Sequence, residues 1–283
     1  MLTPNTGRLG LLLAGIMMSL YGTPSLADKL PRPDHVVVVI EENRSFDQIM
    51  DKIKKDSYIH ALAKRGTLFT QSYAVAHPSQ PNYLALFSGS THGVIDDYCP
   101  FNFTGDNLAT ALIDKGLTFT SYSEFMPEAG FLKCKSGPYQ RKHNPAADWQ
   151  GSRLPASVNL TFEDFPKDFS KLPTVSFVIP DQNNDMHDGS FATADEWLKT
   201  HIDPYVEWAF KNNSLLILTW DEDNGATGNH IATIFIGPMV KAGSSAQRID
   251  HYTVLRTLLD FYDLPAQGAS AEATPIKGIW EKP

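Results

Sequence analysis

The segment 35-HVVVVIEENRSFD-47 joins an apolar run to a cluster of polar and acidic residues. Residues 35–40 are almost continuously apolar and rich in β-branched side chains, which is typical of a strand in a parallel sheet covered on both faces. Similar runs follow at 67–73, 117–122, 174–179, 214–220 and 231–236. Helical patterns lie between these runs at 57–65, 81–87, 107–115, 194–210 and 252–261. The alternation predicts a single α/β domain with a mostly parallel central sheet flanked by helices on both faces.

One long segment interrupts this alternation. Residues 126–171 contain five prolines and scattered aromatic residues, without a sustained hydrophobic period. Segments of this length that lack regular structure inside a compact domain are usually binding elements or lids. We therefore predict that residues 126–171 form a long irregular lid on the surface.

The first 27 residues have the features of a secretory signal peptide. Arg8 precedes a mostly apolar run at 9–22, and Ser25, Leu26 and Ala27 form a small-x-small cleavage motif. A membrane anchor is the alternative, but the run is shorter than the roughly 20 apolar residues that cross a bilayer. We expect a secreted or periplasmic protein without stable membrane insertion, whose mature domain comprises residues 28–283.

The charge and cysteine content of this domain limit the classes of partner that it can bind. Without residues 1–27, the chain keeps 23 of its 24 basic residues against 32 acidic ones, a formal net charge of −9. This balance disfavours nucleic acid, because phosphate backbones are bound through clustered Lys and Arg. A small anionic substrate is compatible with it where a metal ion supplies local positive charge. Cys99 and Cys134 are the only cysteines, and after export we expect them to form a disulfide.

Acidic residues follow three of the predicted strands. In open parallel sheets, ligands bind beyond the carboxyl ends of the strands. Residues 41–47, 180–188 and 221–225 all occupy such positions. Each of these clusters alone is typical of a solvated turn. Together at one sheet edge they would repel one another, so they predict a divalent cation between them.

Ser79 lies at the start of a predicted helix in 76-AHPSQPNYLALFSGSTHG-93. A serine followed by a proline is a favourable helix start, so Ser79 could simply cap the helix. A helix N-terminus also stabilises an anion or a developing alkoxide. A metal ion at the hydroxyl would make it a nucleophile near neutral pH. The residues themselves leave both roles open.

Several motifs together resemble a known group of enzymes. The run 79-SQPN-82, followed by Gly89 and 91-THG-93, resembles the nucleophile segment of the alkaline-phosphatase-like superfamily. The runs 42-ENRSFD-47 and 220-WDED-223 are similar to those of the bacterial phosphoesterase family that includes secreted acid phosphatases and phospholipases C. The resemblance extends from about residue 35 to about residue 264, and the shorter acid phosphatases match better.

The resemblance implies a metal site built from oxygen ligands. The metal ligands would be Glu42, Asn43, Ser79, Asp221 and Glu222, and Ser79 would also be the nucleophile. Such donors suit Mg²⁺, Ca²⁺ or Mn²⁺, and Zn²⁺ also accepts carboxylates. A second ion near Asp181 and Asp185 stays possible.

The resemblance also implies residues that handle the phosphoryl group. His187, His230 and His143 would hold phosphoryl oxygens, and one of them would protonate the leaving group. For His230 a structural role at a strand end is the alternative. The candidates for substrate binding are Asn82, Lys142 and Asp185. A disulfide between Cys99 and Cys134 would tether the lid to the segment after the nucleophile helix.

Two departures narrow the chemistry that the resemblance implies. Two-zinc phosphodiesterases place a histidine where this chain has Glu222, and sulfatases place an arginine at the position of Tyr83. We therefore favour an exported, metal-dependent acid phosphatase that hydrolyses phosphate monoesters through a phosphoserine. The alternatives are a phospholipase C or other phosphodiesterase, and a non-catalytic protein that binds phosphate-bearing ligands through its metal. The sequence does not indicate an oligomeric state.

Overall fold

A central sheet of nine strands organises the part of the chain that the structure, a computed structural model, describes, namely residues 1–2 and 30–281. The signal-peptide features, from Arg8 to Ala27, lie outside the described residues. The strands are β1 (His35–Glu41), β2 (Thr67–Tyr73), β3 (Phe119–Ser123), β4 (Lys135–Ser136), β5 (Tyr139–Gln140), β6 (Asn159–Thr161), β7 (Val175–Ile179), β8 (Ser214–Trp220), β9 (His230–Ile236), β10 (Gly243–Ser245) and β11 (Ile249–Asp250). β4 and β5 form a separate antiparallel hairpin.

The central sheet is mostly parallel, as predicted. Its order is β10-β2-β9-β8-β1-β7-β3-β6, with β11 also paired to β2. β9 is the exception, because it runs antiparallel to both β8 and β2. The loop 221–229 between β8 and β9 is shorter than the dozen or so residues that a parallel crossover requires, so β9 returns in the opposite direction.

Helices cover both faces of the sheet. They are α1 (Phe46–Met50), α2 (Tyr58–Arg65), α3 (Gln80–Ser88), α4 (Leu108–Asp114), α5 (Pro145–Trp149), α6 (Phe191–His201), α7 (Asp203–Ala209) and α8 (His251–Phe261). The helix predicted at 194–210 is two helices that meet at Ile202. Pro204 explains the break, because it lacks the N–H that would continue the hydrogen bonds of α6. The five-residue helices α1 and α5 are too short for a periodic pattern to reveal.

Alternate residues of β1 face two separate hydrophobic cores. Val36, Val38 and Ile40 pack in one core with α3, α4, α5 and α8. Val37 and Val39 pack in the other core with α1, α2, α6 and α7. Burial on both faces accounts for the continuous apolar run in β1. None of the helices in the described residues is long and apolar enough to span a membrane.

The lid segment 126–171 is more ordered and more buried than a surface loop. It contains the β4–β5 hairpin, α5 and the edge strand β6, and Trp149 of α5 is fully buried. The predicted disulfide is present between Cys99 and Cys134, whose Cα atoms are 5.7 Å apart. It joins the lid to the chain that follows α3. Closing a loop of this length stabilises the fold by about 3 to 4 kcal/mol in the chain-entropy model.

Candidate active site

The Ser79 side chain is buried at the carboxyl edge of the sheet, among oxygen atoms from two neighbouring strand ends. Its Oγ lies 2.9 Å from Glu42 Oε2, 3.1 Å from Glu222 Oε1 and 3.3 Å from Asn43 Oδ1. These partners follow β1 and β8, which are adjacent in the sheet. The Ser79 side chain makes no capping hydrogen bond with α3, so the simple capping role is wrong.

Asn43 brings an amide into this group of oxygens. The residue has φ of 44°, a left-handed conformation that asparagine tolerates better than most residues. Its Oδ1 faces only acceptors, and turning the amide over would let the nitrogen donate to Glu222 Oε1 at 3.1 Å and Glu42 Oε2 at 3.0 Å. An oxygen is favoured at this position beside a cation, whereas in a metal-free protein we expect the nitrogen there.

Several buried carboxyl groups crowd around Ser79. Burial raises the pKa of Glu42 well above its ordinary value, and the charge of Asp185 raises it further. Burial, with the charges of Glu42 and Glu222, does the same to the pKa of Asp221. Asp221 Oδ2 has no hydrogen-bond partner among the described residues. A divalent ion would relieve both the repulsion and the missing contact.

The spacing of these oxygens suits a small, hard ion. Adjacent ligands of an octahedral Mg²⁺ site, at 2.0–2.1 Å from the metal, are about 3 Å apart. The separations around Ser79 Oγ are 2.9, 3.1 and 3.3 Å. The backbone N–H of Asn43 also donates to Asp221 Oδ1 at 3.1 Å, which fixes that carboxylate beside the group. Glu42, Asn43, Asp221 and Glu222 could therefore hold a divalent ion next to Ser79.

A second group of possible ligands lies on the other side of Glu42. Glu42, His143 and Asp185 are all buried, and each offers one ligand atom within 4.8 Å of the others. His143 Nε2 is 3.3 Å from Glu42 Oε1, and its Nδ1 is 3.8 Å from Asp185 Oδ2. Burial lowers the pKa of His143 well below its ordinary value, and the charges of Lys142 and His187 lower it further. A neutral imidazole of this kind could bind a metal ion.

Lys142 and His187, which were also predicted as site residues, lie close to the group of Glu42, His143 and Asp185. Lys142 Nζ is 2.6 Å from Asp97 Oδ2. Burial lowers the pKa of Lys142, but Asp97, Glu42 and Asp221 outweigh burial and raise the pKa above its ordinary value, so the ammonium group stays charged. The ring of His187 is 6.2 Å from that of His143, and its Nδ1 is 2.7 Å from Asp188 Oδ1.

The structure does not bring His230 into contact with the carboxylate group. Its ring stacks between those of Phe46 and Tyr73, and its Nε2 is 3.1 Å from the carbonyl oxygen of Thr70. None of these partners belongs to the predicted site. The arrangement agrees with the structural alternative for a histidine at a strand end.

Asn82 and Asp181 also have structural partners. The Asn82 amide accepts hydrogen bonds from the backbone N–H groups of Val75 and Ala76 and donates to two carbonyl oxygens, so it holds the loop before Ser79. Asp181 Oδ1 accepts from the N–H of Asn183 within its own turn. Neither side chain is part of the group that surrounds Ser79.

Three residues that contact this site were not predicted from the sequence. Tyr83, whose hydroxyl donates to Glu42 Oε1, lies one helical turn after Ser79, and this spacing could have revealed it. His77 pairs with Glu222 and lies 3.3 Å from Asp223 Oδ1, with 43% of its side chain exposed. Asp97 accepts from the backbone N–H of Gln80 at 3.0 Å. Asp97 lies in an irregular loop, so no periodic pattern in the sequence indicates where its side chain lies in the fold.

A buried ion pair anchors the lid beside α3. Arg141 Nε donates to Asp148 Oδ1 at 3.1 Å, and its other nitrogens donate to the carbonyl oxygens of Leu132, Phe101 and Ala147. Asp148 Oδ2 is 3.4 Å from Gln80 Nε2, next to Ser79 in the chain. Burial raises the pKa of Asp148 to about 7, although Arg141 opposes this shift.

We expect Arg141→Met to reduce the free energy of unfolding by about 3 to 5 kcal/mol, because it leaves a buried carboxylate unpaired. Since Asp148 can take up a proton, the loss should be larger above neutral pH than below it. Denaturant unfolding at one pH above neutrality and one pH below it measures this difference in the free energy of unfolding. Arg153→Met is the matched control, since Arg153 forms exposed ion pairs with Asp106 and Asp114 that contribute about 1 kcal/mol or less. Equal losses in the two variants would contradict the anchoring role.

Comparison with curated proteins relates the chain to phosphatases. It is 44% identical over 279 residues to a phosphatidylinositol-3-phosphatase of Mycobacterium tuberculosis, covering 96% of this chain and 92% of that protein. It is 32% identical over 235 residues to an acid phosphatase of Aspergillus fumigatus, covering 75% of this chain. The match spans 52% of that fungal protein, so the chain corresponds to about half of its length.

Solved structures share the fold at low sequence identity. A protein of the alkaline phosphatase superfamily from Vibrio parahaemolyticus superposes with a TM-score of 0.57 at 13% identity, covering 88% of this chain and 72% of that one. A phosphonate monoester hydrolase of Agrobacterium radiobacter gives 0.55 at 13% identity, covering 86% and 78% of the two chains. These matches confirm the predicted alkaline-phosphatase-like fold.

The family assignment comes from the sequence itself. The model of the Phosphoesterase family matches residues 52–265, which include Ser79 and the Asp221 to Asp223 run. The first-strand motif 42-ENRSFD-47 lies just before the matched range. The predicted family resemblance is confirmed: this chain belongs to the Phosphoesterase family.

Proposed function

We propose that this protein is a metal-dependent acid phosphatase that hydrolyses phosphate monoesters through a phosphoserine at Ser79. The observation that carries the proposal is the position of Ser79 Oγ, within 3.3 Å of oxygens of Glu42, Asn43 and Glu222. Similarity to acid phosphatases supports the same activity. We also propose export, on the basis of the signal-peptide pattern at residues 1–27.

Four residues would hold the ion in this proposal, namely Glu42, Asn43, Asp221 and Glu222. A bound divalent ion would lower the pKa of the Ser79 hydroxyl and offset the charge of the phosphate. The buried N-terminus of α3 adds a favourable dipole for negative charge on Ser79 Oγ. The group of Glu42, His143 and Asp185 leaves room in the proposal for a second ion. Mg²⁺ and Mn²⁺ fit the oxygen spacing, and Zn²⁺, which also accepts carboxylates, fits it equally well.

The chain's own residues then carry out two displacements. Ser79 Oγ loses its proton to a neighbouring carboxylate, attacks phosphorus and displaces the alcohol. Lys142, which stays charged, holds a phosphoryl oxygen, and the buried imidazole of His143 donates a hydrogen bond to another. His187 is the more exposed histidine and protonates the departing alcohol oxygen. Water then attacks the phosphoserine, so that phosphate leaves and Ser79 regains its proton.

This assignment of histidines predicts activity on the acid side of neutrality. The proposed donor, His187, must carry its proton before the alcohol leaves. We omit His230 and Asn82 from the proposed chemistry, because their side chains are engaged elsewhere. We retain Asp185 as a residue that orients His143, and Lys142 as the residue that contacts the phosphate.

A phosphoinositide is a second candidate substrate. The relative that is 44% identical over nearly the whole chain is named a phosphatidylinositol-3-phosphatase. Its substrate is also a phosphate monoester, so the chemistry proposed for Ser79 would not change. A phospholipase C or other phosphodiesterase is less well supported, because Glu222 stands where the two-zinc phosphodiesterases have a histidine.

A side-by-side assay separates these activities. Purified protein is given p-nitrophenyl phosphate, its bis ester, phosphatidylcholine and phosphatidylinositol 3-phosphate at acidic, neutral and alkaline pH. We expect phosphate release from the two monoesters, with a maximum at acidic pH, and little turnover of either diester. Faster hydrolysis of the diesters would show a phosphodiesterase instead. Stoichiometric retention of a phosphate ester without turnover would indicate the non-catalytic alternative.

A further inference from the structure

Large exposed hydrophobic side chains cluster at one end of the molecule. Apart from the N-terminal Met1 and Leu2, the exposed ones among the described residues are Ile95 (81%), Tyr98 (62%), Phe125 (58%), Ile113 (40%) and Leu132 (39%). Four of these come from loops at the carboxyl edge of the sheet, whereas Ile113 lies on α4 just before the opposite end of β3. We call Ile95, Tyr98, Phe125 and Leu132 the apolar rim.

The loops that carry the apolar rim contact residues near the candidate active site. Between Ile95 and Tyr98 lies Asp97, which contacts both Lys142 and the backbone N–H of Gln80. Leu132 is held through its carbonyl oxygen by Arg141, directly before Lys142 in the chain. The Cys99–Cys134 disulfide joins the loops that carry Tyr98 and Leu132.

Phe125 belongs to the same edge. It follows Glu124, whose Oε2 accepts hydrogen bonds from the N–H of Asp181 and from Asn184 Nδ2, in the loop that continues to Asp185. Phe125 itself has φ of 57°, a left-handed conformation that is strained for an aromatic residue. Folding therefore holds a large apolar ring in solvent at a backbone position that would suit glycine or asparagine better.

The chemistry of the rim favours a phospholipid surface as its partner. Exposed apolar side chains on one side of a protein mark interaction sites, and these lie on the two loops 89–107 and 124–134. Lys133 and Lys135 are exposed on both sides of Cys134, where they match the negative phosphates of lipid head groups. The same loops also expose the acidic side chains of Asp96, which accepts from the Tyr98 N–H at 3.1 Å, and Glu128, so the apolar side chains carry most of the attraction.

We propose that the apolar rim inserts into a phospholipid surface and thereby holds the candidate active site against that surface. Phe125 and Leu132 enter the interfacial region while Lys133 and Lys135 contact head-group phosphates. This docking function goes beyond the proposed phosphatase activity, because it does not require a phosphate monoester in the lipid. Binding and hydrolysis can therefore be tested independently.

The test uses vesicles that contain no phosphate monoester. The full mature chain is sedimented with vesicles of phosphatidylcholine and phosphatidylserine, and the bound fraction gives a partition coefficient. We expect Phe125→Asn and Leu132→Ser each to lower this coefficient by about tenfold, because each removes one apolar side chain that the lipid would bury. Hydrolysis of soluble p-nitrophenyl phosphate should stay unchanged and the thermal unfolding midpoint should not fall, since neither side chain packs in a core and asparagine tolerates the left-handed backbone at position 125.

Ile113→Ser is the matched control, because it removes a similarly exposed apolar side chain from the other end of the sheet. We expect it to leave the partition coefficient within about twofold of the wild-type value, since this side chain would not touch the lipid. Ser79→Ala should also bind as the wild type does. Docking by the rim is ruled out if the wild-type protein does not sediment with the vesicles, or if Ile113→Ser weakens binding as much as Phe125→Asn does.

Discussion

Ser79→Ala is expected to lower kcat for a phosphate monoester by about 10⁴-fold or more, because the proposed phosphoserine could no longer form. In the structure, Ser79 Oγ lies within 3.3 Å of three residues that could hold a metal ion. The alanine variant keeps these carboxyl and amide groups and should keep its metal content. The measurements are steady-state hydrolysis of p-nitrophenyl phosphate, metal analysis and the circular dichroism spectrum.

Ser88→Ala provides a matched control for this substitution. Ser88 is also buried and lies at the other end of α3, where its hydroxyl donates to the carbonyl oxygen of Leu84. Its loss should affect stability slightly and leave kcat within about twofold. Acid quenching of the wild-type enzyme during turnover should also trap phosphate on Ser79. Near-normal turnover by Ser79→Ala would end the assignment of the nucleophile.

Removal of the metal is expected to lower activity by about 10³-fold or more, with recovery on adding Mg²⁺ or Mn²⁺. Without the ion, Glu42, Asp221 and Glu222 are left as crowded buried carboxyl groups beside Ser79. Asp221→Asn should have the same effect through lost metal affinity. Asp223→Asn is its control, because the Asp223 carboxylate accepts hydrogen bonds from the loop at Gly225, Thr227 and Asn229. An active enzyme that contains no metal would refute this prediction.

Metal removal should also make stability depend on pH. In the metal-free fold, burial and the charges of neighbouring carboxylates raise the pKa values of Asp221 and Glu42 well above their ordinary values of 3.8 and 4.5. Above those ordinary values the unfolded chain releases its protons first, so the folded chain binds more protons. The free energy of unfolding of the metal-free protein therefore falls as pH rises through the raised pKa values.

Thermal unfolding with and without metal measures this linkage. We expect the metal-free midpoint to be higher at mildly acidic pH than at neutral pH. The stabilisation gained on adding metal should be larger at neutral pH, where the bound cation displaces fewer protons from the carboxyl groups than at acidic pH. A metal-free protein that is equally stable at both pH values would show that these carboxyl groups do not repel one another as the structure indicates.

The sheet could be predicted because a strand that is buried on both faces appears in the sequence as a continuous apolar run. The valine run of β1 and the apolar run of β8 are continuous, and both strands lie in the centre of the sheet. The direction of β9 leaves no such trace, since it depends on the length of the loop before it. The burial of α5 could not be predicted either, because a helix of five residues is too short to show a hydrophobic period in the sequence.

The site was partly predictable for a related reason. Glu42, Asn43, Asp221 and Glu222 directly follow strands, and parallel strands end at one edge, so their approach follows from the topology. His77 and Asp97 reach the same place through irregular loops, whose path depends on tertiary contacts rather than on a local pattern. His230 shows the reverse case: it begins a strand at the correct edge, but its ring stacks on Phe46 and Tyr73.

The covalent bond between Cys99 and Cys134 has a consequence for how the enzyme is prepared. Expression in a reducing cytosol would deliver a chain in which the hairpin next to Lys142 and His143 lacks its covalent link to the segment that follows α3. We expect such a preparation to keep the proposed metal ligands in place and still to differ from the oxidised protein in the phosphate esters that it accepts. Comparisons of substrate range between laboratories therefore need a thiol titration beside each assay.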